Sequence, residues 1–115
     1  MDLITPDLRI QLLANGHAAR ENPDFDPLPV LKWFNPCGAA TWLITELDPT
    51  NEDLAWGLAD LGMGCPEVGH VSVRELGSIR LMNGRLGIER DLHWRPDKPL
   101  SAYVRLALAA HRILT

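Results

Sequence analysis

Apolar positions recur along this chain at two spacings. Between Thr5 and Gly16, Leu8, Leu12 and Leu13 fall at i, i+4 and i+5, one face of a helix. Thr5 suits the N-cap, Pro6 the first helical position, and Asn15-Gly16 the C-terminus, which predicts a short amphipathic helix ending there. Residues 22–29 hold Pro23, Pro27 and Pro29 among acidic side chains and read as an extended linker. From Val30 the pattern turns β-branched and aromatic. Strands are predicted over 30–34, 41–47 and 54–61, separated by turn chemistry at 35–38 and 48–53. Pairing Leu47 with Leu54 sets Trp42, Ile44 and Glu46 on one face with Ala55, Gly57 and Ala59, leaving room for Trp33 and Trp42 against the small residues. A slip of one residue would exchange the faces.

Gly62 to Pro66 reads as a loop and Glu67 to Val71 as a fourth strand. Ser72 then caps a short helix with Glu75 in the capping-box position. After Gly84 and Gly87, the alternation of Ile88, Arg90, Leu92 and Trp94 with Glu89, Asp91 and His93 suits an edge strand. A last helix is predicted from Pro99 or Ser101 to Ile113, with Leu100, Tyr103, Val104, Ala107, Leu108 and Ile113 as a wide apolar stripe. The expected architecture is α+β. A small antiparallel sheet of about five strands carries an N-terminal helix, a short middle helix and a C-terminal helix, in one domain over residues 1–115.

Composition narrows this picture. At 115 residues and 46% hydrophobic, the chain suffices for one core. The most apolar stretch, Leu100 to Leu114, is interrupted by Arg105, His111 and Arg112 and does not suit a membrane span. The N-terminus lacks the basic and apolar regions of a signal peptide. A cytoplasmic chain with Cys37 and Cys65 reduced is therefore expected. Charge is uneven. Residues 1–67 hold three basic residues (Arg9, Arg20, Lys32) against eleven acidic ones, a net −8, and residues 68–115 hold eight basic against four acidic, a net +4. Such asymmetry gives a folded chain faces of opposite field, unless the halves pair their charges.

The runs Thr41 to Pro49, Gly57 to Ser72, Glu89 to Trp94 and Lys98 to Tyr103 resemble a family of short bacterial proteins known as domain of unknown function 2958. The resemblance extends from Leu3 to Ile113. It implies a setting on plasmids and other mobile elements, and it implies no catalytic residue or cofactor.

Among the polar residues, Glu46, Asp48, Asp60 and Glu67 with His70 and His93 are candidates for a metal or acid/base site. Their spacing matches no zinc, calcium or hydrolase motif, and the plain alternative has Asp48 and Asp53 capping turns while Glu46 and Asp60 face solvent. Gly57, Gly62, Gly64 and Gly69 lack the phosphate-loop pattern and are expected to serve turns and close approach by a tryptophan. Cys65, near His70, is a weaker nucleophile candidate. Arg85, Arg90, Arg95, Lys98 and Arg105, with Trp94 among them, form the candidate surface for nucleic acid or an acidic partner. Glu46, Asp48, Glu52, Asp53, Asp60 and Glu67 form an acidic candidate that imitates a phosphate row. With no catalytic, metal or cofactor motif, the leading expectation is a non-enzymatic interaction protein of a bacterial mobile element. It would bind a protein partner and counter a host defence system. Nucleic-acid binding through the basic half and a small metal-dependent hydrolase are the alternatives.

Overall fold

The computed structural model describes residues 2–115. Its elements run α1 (Pro6–Glu21), β1 (Leu31–Phe34), β2 (Thr41–Asp48), β3 (Asn51–Asp60), β4 (Glu67–Ser72), α2 (Val73–Ser78), β5 (Glu89–Arg90) and α3 (Leu100–Ala110). The strands form one antiparallel sheet in the order β4-β3-β2-β1-β5, an α+β fold with the three expected helices.

Successive strand residues point to opposite faces, so a strand covered on both sides carries a consecutive apolar run, here Trp42-Leu43-Ile44 of β2. Leu43 packs with Leu58, Leu100, Tyr103 and Ala107 on the α3 side. Ile44 packs with Leu12, Trp33, Trp42, Leu47, Leu76 and Ile88 on the other side. Trp33 and Trp42 share this second layer, as the sequence predicted, and the Trp33 indole N–H donates to the Leu3 carbonyl at 2.8 Å.

The first helix overruns its predicted end. Thr5 caps it and Pro6 opens it, but it continues through Asn15-Gly16 to Glu21. Both residues are buried in its middle for tertiary reasons. A Cβ on Gly16 would stand 2.1 Å from the Leu47 carbonyl oxygen, so only glycine lets the helix backbone lie against the β2–β3 hairpin. Asn15 donates to the Thr45 carbonyl at 2.8 Å and accepts from Gln11 at 3.0 Å. Thr45 is where the register breaks: Ile44 pairs with Gly57, but Glu46 pairs with Trp56 and Leu47 with Ala55. The amide of Asn15 thus satisfies a carbonyl at this irregularity. The predicted pairing holds from Thr41 to Ile44. Beyond the break, Leu47 lies opposite Ala55 in the core, and Glu46 no longer shares the face of Trp42 and Ile44.

Two further elements are shorter than predicted. The edge strand over 88–94 is only Glu89–Arg90, because the Asp91 carboxylate accepts the His93 and Trp94 backbone N–H groups at 2.9 Å and turns the chain. The last helix ends at Ala110 with His111 in the left-handed region, φ 61°. Leu100, Tyr103 and Ala107 form its buried stripe, whereas Leu108 lies outside that face and is 56% exposed. The α3 N-terminus is satisfied from the linker: Asp26 accepts from the backbone N–H and hydroxyl of Ser101.

Candidate functional site

The polar residues singled out in the sequence do not converge. Asp48 accepts from the backbone N–H and hydroxyl of Thr50 and from Arg20, which hold its carboxyl below the usual range. Asp53 accepts from the Ser72 hydroxyl at 2.6 Å and the Arg74 backbone N–H, so it supports the N-terminus of α2, and its pKa is lowered by the same bonds. Glu52 pairs with Arg9. Asp60, expected to face solvent, is 4% exposed and accepts the backbone N–H groups of Gly62 at 2.8 Å and Ile113 at 2.9 Å, tying the C-terminus to the end of β3. His70 lies against Trp56, ring centroids 5.0 Å apart, on β4 at one sheet edge. His93 follows β5 at the other. Among the described residues, no three His, Cys, Asp or Glu side chains gather as metal ligands. Both thiols, Cys37 and Cys65, are free and exposed.

The basic candidates are dispersed as well. Arg85 lines a concavity with Leu3 and Ile88, whereas Arg105 is exposed on α3, across the sheet. Arg90 donates to the Asp2 carbonyl. Lys98 pairs with Asp97 and stands over the Tyr103 ring. Trp94 packs against Tyr103, centroids 6.0 Å apart, with its side chain committed to the α3 cluster. Arg95 is exposed. Lys32–Asp91 joins the two oppositely charged halves, while Arg9–Glu52, Arg20–Asp48 and Lys98–Asp97 each lie within one half.

Glu46 is half-buried, and burial, reinforced by the Asp48 carboxylate, pushes its pKa up. The folded state therefore binds the Glu46 proton more tightly than the unfolded chain does. This contribution to stability is fully present below the unfolded pKa, about 4.3, and is lost as pH rises through the raised folded value. Glu46→Gln is expected to be more stable than the parent at neutral pH, with the gap closing in acid. Urea midpoints at two pH values check it, and a gap that widens in acid would contradict it.

One concavity unites residues from several elements. A notch of about 250 Å³ opens beside β4, lined by Trp42, Ile44, Leu61, Met63, Val71 and Glu67 among others. Its floor follows from register. Gly57 of β3 lies opposite Gly69 of β4, so two neighbouring positions of the sheet carry no side chain. Their reasons differ. A Cβ on Gly57 would meet the Leu43 carbonyl oxygen at 1.9 Å, whereas one on Gly69 would meet nothing within 4 Å. Gly62 and Gly64, both at φ +81°, provide the turn conformations expected of them. The Glu67 carboxylate, exposed at the rim, makes no hydrogen bond or ion pair among the described residues.

Beside the notch runs the outer edge of β4. Of the two edges, β5 is blunted by its length of two residues. β4 has six, in regular register, without lysine, proline or bulge. Among the described residues, no backbone hydrogen bond outside the ladder engages Glu67–Ser72. Leu61, Met63 and Val71 carry no motif that would make this site visible in the sequence. The usable signal was Gly69 inside a predicted strand, a mark of close backbone or ligand approach.

Among the described residues, no helix is long and apolar enough to cross a membrane. No curated protein and no solved structure matches the chain significantly. A family profile matches residues 3–114, nearly the whole length, and the chain belongs to that family, described as protein of unknown function DUF2958.

Proposed function

We propose that this protein is a non-enzymatic interaction protein that binds a protein partner by taking an extended segment of it onto the outer edge of β4. The observation that carries the reading is the unblunted edge beside an apolar notch. An added strand gains main-chain hydrogen bonds from the edge and specificity from pockets under alternate side chains. The dispersal of the carboxylates and histidines supports binding over chemistry, since acid/base or metal work requires such groups within reach of one another. Trp94 and Lys98, engaged with Tyr103 and Asp97, give less support to base stacking and phosphate contact. A mobile-element setting and a partner from a host defence system remain part of the proposal and rest on the family resemblance alone.

The test uses Val68, which is 45% exposed on β4. Val68→Lys puts a charge on the edge while leaving the core untouched, a device by which natural sheets prevent strand addition. A tagged chain is expected to retain a partner from its host that the Val68→Lys chain loses, with both chains equally folded by circular dichroism. Equal retention by the two, or an empty capture by both, would overturn the reading.

A further inference from the structure

Resting on β4 as a protein-binding edge, we infer that the notch and Glu67 together select the side chains of the bound strand. The favoured guest is an antiparallel segment with the order apolar, any, aromatic, any, Lys or Arg. In an added antiparallel strand, alternate residues face the same side as the β4 residues they oppose. The notch side of β4 presents Glu67, Gly69 and Val71. The guest residue opposite Gly69 lies over a position without a Cβ, with open space above it. A large ring there descends toward Trp42 and Ile44, the arrangement in which a cross-strand aromatic covers an edge glycine. Two residues earlier the guest meets Val71, which favours an apolar side chain. Two residues later it meets the unpaired carboxylate of Glu67, which favours a cation.

The size of the notch points the same way. About 250 Å³ is below the roughly 300–1,000 Å³ of small-molecule sites and suits one side chain anchored by its own backbone. The charge argument also disfavours a second copy of this chain as occupant, because β4 itself carries no Lys or Arg to offer Glu67.

The probe is the synthetic peptide acetyl-Thr-Val-Thr-Trp-Thr-Lys-Thr-amide, titrated into the full chain by calorimetry, with amide exchange followed by NMR. Binding is expected together with slowed exchange in β4. Replacing the peptide's Trp by Ala should weaken binding about tenfold or more. Gly69→Val, which fills the notch with a residue suited to strands, should do the same while leaving thermal stability equal or higher. Glu67→Lys should weaken binding about tenfold, and a peptide with Glu in place of its Lys should restore it to the Glu67→Lys chain.

No binding to the parent chain, or binding that Gly69→Val leaves unchanged, overturns the selection rule. A partner lost on Val68→Lys would still uphold β4 as the docking edge, so the two failures are distinguishable. Sedimentation showing a dimer of the parent that Val68→Lys dissociates would put a second copy on the edge and overturn the inference.

Discussion

Trp33→Ala is expected to destabilise the protein by about 3–5 kcal/mol, a large share of the roughly 5–15 kcal/mol that holds a domain of this size folded. Trp33 is fully buried at 0% exposure, in a layer that holds Leu3, Leu31, Trp42, Leu76 and Ile88. This layer draws on the N-terminal segment, β1, β2, α2 and the residue just before β5, most of them distant from Trp33 in sequence. Removing the indole leaves a cavity that such a layer cannot collapse to fill, because β1 is fixed on both sides by β2 and β5. The Leu3 carbonyl also loses its donor. Trp33→Phe separates the two effects. It keeps most of the apolar volume, forfeits the hydrogen bond, and should cost about 1–3 kcal/mol. Urea unfolding followed by circular dichroism gives both values. A loss under about 1 kcal/mol for Trp33→Ala would mean that the indole is not the centre of this layer.

The division between what was legible in the sequence and what was not follows the reach of the signal. Thr5 and Ser72 were readable as caps because their hydroxyls accept from N–H groups three residues on, those of Leu8 and Glu75. The pairing of Trp42 with Ala59 followed from turn residues and alternation within one hairpin. The break at Thr45 did not, because the group that satisfies its carbonyl, Asn15, is thirty residues away. The end of α1 is hidden for the same reason: locally Asn15-Gly16 is a stop signal, and only the hairpin lying against it makes both residues interior ones. The α+β architecture could be read from periodicity, whereas the shortness of β5 depended on an Asp91 turn that alternation does not register. The candidate site was the least legible. Gly57 and Gly69 were visible as glycines in strands, but their opposition across β3 and β4, which makes the notch, is a property of register.

The same contact yields a result whose sign opposes local expectation. In a helix interior, alanine is better than glycine by about 1 kcal/mol, so Gly16→Ala would stabilise an isolated α1. In the folded protein it is expected to destabilise by on the order of 3 kcal/mol, because the new methyl would stand 2.1 Å from the Leu47 oxygen and 3.1 Å from the Pro49 ring. Relief by moving α1 outward would stretch the 2.8 Å bond from Asn15 to Thr45 and loosen the packing of Leu12, so the cost falls on several contacts at once. Ala14→Gly, at an exposed position two residues earlier, supplies the control and should cost about 1 kcal/mol through propensity alone. The expectation is therefore that exchanging glycine and alanine in opposite directions on one helix lowers the urea midpoint both times, with the larger drop for the substitution that propensity favours. A Gly16→Ala chain as stable as the parent would show that α1 does not lie against the β2–β3 hairpin at the distance described.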